Sequence, residues 1–401
     1  MSATATAGAE TQGSDRRETL RRILQGDLAS LRVVIGLALI WVIFQSQNDR
    51  FLSAENLTNL MLQITGIALI SIGIVYVLLL GEIDLSVGAV SGLAAAVMAV
   101  LNVKHGWNPY LAIAAAIAVG LAIGLLQGFL FSRFGVPSFV VTLAGLLAWQ
   151  GALLQVLGST GSINITDPKI TGLANTFYDG ATAWILAALV IAAFGATLFL
   201  GHRRRVAAGL EAESPTGMLV RFVLVAAVTI VAVAVLNSDR GIPLALLILL
   251  AFVVGMEYVA RRTAFGRHVF AVGGNAEAAR RAGIGVNRVR TVVFGIAGAM
   301  AAIGGIMIAS RLLAVNQGSG GSELLLLAIA GPVIAGTSLF GGRGSVWTAL
   351  LGALVIGSIS NGMDLLALSS AVKFMVTGGV LLLAVIVDAV ARQQRQASGR
   401  V

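Results

Sequence analysis

Two carboxylates stand two residues apart in the segment Gly81, Glu82, Ile83, Asp84, Leu85, Ser86, Val87, Gly88, between two long apolar stretches. Ionisable groups beside hydrocarbon are costly, and by default they are candidates for carrying protons or ordering a substrate path. That makes Glu82, Asp84, Ser86 and Gly88 pathway or gating candidates. The competing reading is a short solvated loop in which Asp84 caps the following helix by accepting from backbone N–H groups. Of the two, cap and loop structure is preferred. Asn361 and Asp364 form a second polar pair at the outer end of a later apolar block, where they could cap, hydrate or meet an external partner.

A different pattern occupies the largest polar stretch, residues 261–290. It contains Gly273, Gly274, Asn275, Ala276, Glu277, Ala278, Ala279, Arg280, Arg281, Ala282, Gly283 and Ile284. Asn275 suits an N-cap, Glu277 suits the positive first turn and Gly283 suits the left-handed position after a helix. The spacing predicts a short, sharply bounded helix. Charge balance alone would explain the basic residues here, but not the punctuation at both ends.

Other chemistries find no supporting motif. The three lysines, Lys104, Lys169 and Lys373, do not complete a phosphate-binding loop, and HExxH and GxSxG are absent. The glycine-rich run from Gly336 to Gly344 lacks the lysine and reads as a tight turn between helices. The chain has no cysteine, and His105, His202 and His268 lie in separate loops, which argues against a metal site.

The elements that must position these residues are membrane helices. The chain is 57% apolar and 11% charged, with a mean hydropathy of +0.93. A hydrocarbon layer of roughly 30 Å needs about 20 apolar helical residues. Apolar blocks near 33–46, 57–80, 85–102, 109–131, 138–157, 182–200, 219–236, 243–260, 291–310, 323–340, 345–361 and 370–388 give an all-α, polytopic membrane helix bundle of about twelve spans. With both ends cytoplasmic, 21 of the 27 basic residues fall inside, as the positive-inside rule requires. The net charge of +9 therefore reads as orientation, and no nucleic-acid partner is implied.

The expected organisation is a disordered basic tail over 1–30, a transmembrane domain over 31–390 with its loop at 261–290, and a cytoplasmic tail over 391–401. Glycine, proline and charge interrupt the apolar pattern near 81–88 and 323–345. Broken helices there would lie preferentially on a pathway, because irregular backbone at membrane depth must be packed in protein or line a wet cavity. Gly120, Gly124 and Gly128, and again Gly88 and Gly92, recur every four residues and mark close helix packing within the chain.

Four segments together resemble one family, the permease subunits of bacterial ATP-binding-cassette importers for simple sugars of the ribose, arabinose, galactose and xylose type. They are GEIDLSVG at 81–88, FGVPSFVVTLA at 134–144, GGNAEAARRAGI at 273–284 and GTSLFGGRGSVWTALLGALVIGSISNGMDLL at 336–366. The likeness spans about 57–390, and length and span count look most like the xylose branch. The extra membrane sequence relative to shorter members is chiefly 202–236. The resemblance implies a bacterial inner-membrane homodimer that moves a monosaccharide, D-xylose or a similar sugar, by alternating access. It also implies a separate cytoplasmic ATPase that binds ATP and Mg, no cofactor or catalytic residue in this chain, and an extracytoplasmic sugar-binding protein. Glu277, Ala278, Ala279 and Gly283 match the loop by which such permeases contact their ATPases, so Asn275, Arg280 and those four residues are the expected coupling element. Two rivals stand beside it: a proton-coupled carrier using Glu82 and Asp84, and a scaffold without transport.

Overall fold

The computed structural model describes residues 28–210, 212 and 214–397. Within them the chain is a helical bundle of α1 (Leu28–Gln47), α2 (Ala54–Leu79), α3 (Val87–Ala99, extended by a π turn over Val100–Lys104), α4 (Pro109–Phe134) and α5 (Ser138–Leu157). There follow α6 (Pro168–Asn175), α7 (Gly180–Ala207), α8 (Pro215–Asn237), α9 (Leu244–Arg262), α10 (Ala264–Gly274), α11 (Ala276–Arg281) and α12 (Val286–Leu312). Last come α13 (Ser322–Ile334), α14 (Trp347–Leu365) and α15 (Ser370–Ala397). Two small antiparallel ladders join connections at one end of the bundle. In the first, β1 (Ser162–Asn164) pairs with β4 (Ala314–Asn316); in the second, β2 (Phe177–Tyr178) pairs with β3 (Ile242–Pro243).

The expected bundle of membrane helices is present, but twelve spans are not established. Among the described residues nine helices are long and apolar enough to cross a membrane: α2, α3 with its π turn, α4, α5, α7, α8, α9, α12 and α14. The expected first span and the block beginning at 323 correspond to shorter apolar helices, Val33–Gln47 and Ser322–Ile334. The expected N-terminal tail lies outside the described residues as far as 27, and residues 28–30 are already helical. At the other end, α15 runs through Ala397, and residues 398–401 of the expected tail lie outside the described residues.

The centre of the bundle is α2 packed on α12. Most of α2 is buried, whereas α7 and α8 are almost entirely exposed along their apolar lengths, as helices facing lipid are. Glycines set the distances. A Cβ on Gly120 would collide with the Gly298 carbonyl, and one on Gly298 would collide with the Gly120 carbonyl, so α4 and α12 cross backbone to backbone. Gly124 and Gly128 continue that face against Phe294 and Thr291. The four-residue glycine spacing thus serves contacts inside one chain, as the sequence suggests.

Polar residues in the apolar core have specific partners. Pro332 lies inside α13 and has no N–H to give to the carbonyl four residues earlier. That carbonyl, of Ala328, accepts from Ser71 Oγ at 2.9 Å, which explains a fully buried serine in the middle of α2. Ser71→Ala should leave the carbonyl unsatisfied and destabilise the protein by about 1–3 kcal/mol. A drop in the detergent-solubilised thermal midpoint would show it; an unchanged midpoint would mean that the proline-freed carbonyl finds another donor.

Candidate functional site

Helix α2 ends where the sequence marks an interruption. Gly81, at φ +75°, follows the last turn, with Glu82 N–H donating to the Val77 carbonyl and Gly81 N–H to the Leu78 carbonyl. This is a Schellman stop, which needs a residue tolerant of the left-handed region. The Leu79 carbonyl, one of the last four without an intrahelical donor, accepts from Gly342 N–H at 2.9 Å. Gly273 lies flat on the same spot, since any Cβ there would collide with the Leu79 carbonyl. Three segments distant in sequence therefore meet: the end of α2, the end of α10 and the glycine run at 341–342.

Beyond Gly81 the chain is extended, and side chains supply what helical bonding does not. Ser138 Oγ accepts from Ile83 N–H at 3.3 Å, and Thr142 Oγ1 accepts from Leu85 N–H at 3.1 Å, both from the first turns of α5. Glu82 is paired with Arg290 at the start of α12, 2.9 Å away, and the Arg290 guanidinium lies 5.7 Å from the centre of the Phe131 ring. Asp84 is 2% exposed and accepts from both Ser86 N–H at 2.8 Å and Ser86 Oγ at 2.7 Å. This turn precedes α3. The expectation that Asp84 caps the helix is corrected: its acceptor is spent on Ser86, the N-cap residue itself, which makes no side-chain cap bond.

Ser86 Oγ also lies 2.9 Å from the buried Gln127 amide. One hydroxyl has one proton, and Asp84 takes it. With the Gln127 NH2 turned toward Ser86, that contact becomes a donation to the hydroxyl oxygen, and the amide oxygen turns to the Gly145 side. There the buried Trp149 Nε1 otherwise has no partner among the described residues. Both nitrogens crowd the position that a Gly145 Cβ would fill.

The second interruption differs from the expected one. Besides the loop after Ile334, the chain is non-helical at 317–321, before α13. Ala328 is level with Ser71, in the interior of α2, so α13 starts about 9 Å from that level, inside the bundle. The non-helical stretch reaches α3 at its start: a Cβ on Gly88 would stand 2.8 Å from the Gly320 carbonyl, and one on Gly92 would collide with the Ser319 carbonyl. A cavity of about 20 Å³ lies at this junction, lined by residues including Ser91, Gly92, Gly305, Ser319 and Gly320. Two helix starts, α3 and α13, thus face each other across close-packed glycine backbone.

The polar stretch 261–290 holds the predicted short helix. Asn275 Oδ1 accepts from Ala278 N–H at 2.9 Å, and Gly283 at φ +83° ends α11. Ile284 N–H reaches the Ala279 carbonyl and Gly283 N–H the Arg280 carbonyl, a second Schellman stop. Ala279 is buried against the bundle, whereas Glu277, Ala278, Arg280 and Arg281 point outward. Glu277 bonds Arg280 at 2.9 Å and Arg281 at 3.3 Å.

A clamp not singled out in the sequence fixes this region to the glycine run. Glu257 on α9 accepts from Val346 N–H at 2.7 Å and Ser345 Oγ at 3.1 Å. Arg261, one turn on, donates to the Gly344 carbonyl at 2.5 Å and lies 4.7 Å from the centre of the Phe270 ring of α10. Glu257 sits in an apolar helix and Arg261 reads as one basic residue among several; their shared partner segment is more than eighty positions away.

Asn361 and Asp364 are not part of this assembly. Asn361 exchanges two hydrogen bonds with Asn56, at 2.8 and 3.0 Å, and Asp364 is paired with Lys373. Asn56 is at the start of α2 and Gly81 just past its end, so the six pathway candidates divide between opposite ends of a helix roughly 39 Å long.

A bundle of spanning helices with interrupted helices at its heart and a capped helix projecting at one end has the architecture of a membrane permease. Residues 56–385 match the family described as the permease component of the branched-chain amino acid transport system, and the chain belongs to that family. It is similar to the xylose transport system permease protein XylH of Escherichia coli strain K12, with 38% identity over 344 residues, covering 86% of this chain and 87% of that one. XylH of Haemophilus influenzae is 37% identical over 361 residues, covering 89% and 95% respectively. The ribose import permease protein RbsC of Bacillus subtilis is 33% identical over 371 residues, covering 92% and 96%. No solved structure matches.

Proposed function

We propose that the chain is the membrane-spanning subunit of an ATP-driven importer of a simple sugar, D-xylose or a similar monosaccharide, working as a homodimer with a separate ATPase and an extracytoplasmic sugar-binding protein. The observation that carries this reading is the seating of Gly273, at the end of α10 and just before the exposed, doubly capped helix α11, on both the end of α2 and the 341–342 run. Asn275, Glu277, Ala278, Ala279, Arg280 and Gly283 form its contact element for the ATPase. A push on α11 passes through α10 to Gly273, which touches the end of α2 and the 341–342 run, and the Glu257–Arg261 clamp keeps residues 344–346 in step. From there α13 leads back to the junction with α3.

ATP closure of the partner then favours one arrangement of this chain over another, which is the only way its free energy can enter. A neutral sugar needs only a weakly binding polar path. The interrupted helix starts at Ser86–Gly88 and 317–321 supply one, because irregular backbone leaves carbonyl and N–H groups to be met by hydroxyls. Glu82 and Asp84 are engaged by Arg290 and Ser86, which favours a positioning role over proton carriage. The positive-inside rule places α11 in the cytoplasm and Asn361 and Asp364 on the outer side, where the binding protein docks.

Uptake of labelled D-xylose by host cells with and without the gene, in the presence of a protonophore, tests the reading. Loss of protonophore-resistant uptake on deletion is the expected result. Uptake that survives deletion but collapses with the protonophore would favour a proton-coupled carrier as the host's route and remove xylose from this chain.

A further inference from the structure

The α7–α8 hairpin is anchored at one end only. Ala183 and Ala187 of α7 pack with Val233, Leu236 and Ile242, against neighbours such as Met61 and Leu246. From residue 188 to residue 232 no described residue is buried, so no other described segment covers the opposite end. There the two helices enclose a groove that is almost wholly apolar, lined by Gly195, Leu198 and Phe199 of α7 and Met218, Leu219 and Phe222 of α8.

The groove opens onto basic groups. His202 lines its mouth, and its Nδ1 is buried with no partner among the described residues. Arg203 lies 5.0 Å from the centre of the Phe199 ring, and Arg204 and Arg205 follow in the last turn of α7. Helix α8 begins beside them, bringing the positive end of its dipole. The segment has four arginines, at 203, 204, 205 and 221, against two glutamates, at 211 and 213. Orientation by the positive-inside rule explains basic residues near a membrane surface. It does not explain an apolar groove that ends on a buried, unpartnered imidazole nitrogen.

We infer that the open end of this hairpin binds an anionic glycerophospholipid. An acyl chain lies along the groove over Leu198, Phe199, Leu219 and Phe222, and the phosphate and glycerol oxygens are held by His202 and Arg203–Arg205. A basic pocket between membrane helices is where acidic headgroups are recognised, each cation near the surface contributing about a fivefold gain in affinity. The occupant is a lipid rather than a second copy of the chain because an almost wholly apolar groove ends in a mouth that carries the charge complementary to phosphate.

The test is native mass spectrometry of the full chain in detergent, titrated with phosphatidylglycerol or phosphatidylcholine. The expected result is retention of phosphatidylglycerol at a concentration about tenfold or more below that needed for phosphatidylcholine. Two variants should each abolish the preference: Arg203→Gln/Arg204→Gln/Arg205→Gln, which removes the headgroup partners, and Gly195→Leu, which fills the groove at a position where only the Phe222 ring must shift. Arg262→Gln/Arg267→Gln/Arg288→Gln removes equal charge elsewhere and should retain it. Equal retention of the two lipids by the unmodified chain would overturn the proposal. So would loss in the arginine variant with full retention in Gly195→Leu, which would reduce the effect to surface charge, and so would lipid-independent dimers abolished by Gly195→Leu. Thermal midpoints in phosphatidylcholine alone, unchanged across the variants, keep a folding defect from imitating a binding one.

Discussion

Replacing Gly298 with leucine is expected to remove folded protein from the membrane fraction. A Cβ at that position collides with the Gly120 carbonyl and stands 3.0 Å from Gly124 N, so it meets backbone, which cannot rotate away. Helix α4 cannot retreat as a unit without losing Gly124 from the Phe294 carbonyl and Gly128 from Thr291. Helix α12 is blocked on its other side, where Gly73 meets Ala297 and Gly304 meets Gly66 and Ile70 of α2. Overpacking in ordinary cores costs about 1–3 kcal/mol. Here no side chain can yield, and the penalty should exceed about 3 kcal/mol, comparable to a large share of a domain's stability. The measurement is yield of monodisperse protein and its thermal midpoint in detergent, with Gly151→Leu as the control at a glycine of α5 that has nothing within 4 Å. Normal yield and midpoint for Gly298→Leu would mean that α4 and α12 do not cross at these glycines.

That crossing was legible in the sequence because a four-residue glycine period has one cheap explanation in a membrane helix. The apolar blocks were legible for the same kind of reason, since composition and length report burial in lipid directly. Depth is a different quantity. Residues 313–321 fall between two apolar blocks of the sequence, and only contact of Gly320 with Gly88 reveals that the backbone enters the bundle before α13 begins. Hydropathy likewise cannot separate α2, buried by protein, from α8, exposed to lipid, because both interiors are equally apolar to a residue that faces them.

In the site, local punctuation was readable and long-range pairing was not. Asn275, Glu277 and Gly283 specify α11 within ten residues, and the helix forms where they place it. The sequence leaves Glu82 open between a solvated loop residue and a pathway group because its partner, Arg290, stands more than two hundred positions away among residues that charge bias already accounts for. Asp84 reads as a helix cap because the sequence shows a carboxylate two residues ahead of an apolar run. The extended backbone between them makes Ser86 its nearest donor and leaves α5 to satisfy the chain around it.

Glu277→Ala/Arg280→Ala is expected to separate ATP hydrolysis from sugar uptake, and the structure makes the experiment clean. Glu277 and Arg280 side chains are 57% and 59% exposed, and their ion pair connects residues of one short helix. Exposed pairs of this kind contribute about 0–1 kcal/mol, so their removal should leave the thermal midpoint nearly unchanged. The capping bond from Asn275, the buried Ala279 and the Gly283 stop all remain, so α11 should keep its shape and its seat. What the double variant loses is two outward-facing charges, which under the proposed coupling role would meet the ATPase. Reconstituted with its ATPase, it should hydrolyse ATP while uptake per ATP falls about tenfold or more, the effect of losing one coupling contact of 1–3 kcal/mol. Asn275→Ala provides the contrast: it leaves both charges but removes the cap, at a cost of about 1 kcal/mol, and should lower coupling only as far as it loosens the helix. Wild-type uptake per ATP in Glu277→Ala/Arg280→Ala would release α11 from the coupling role and move attention to the Glu257–Arg261 clamp, the other rigid connection to the glycine run.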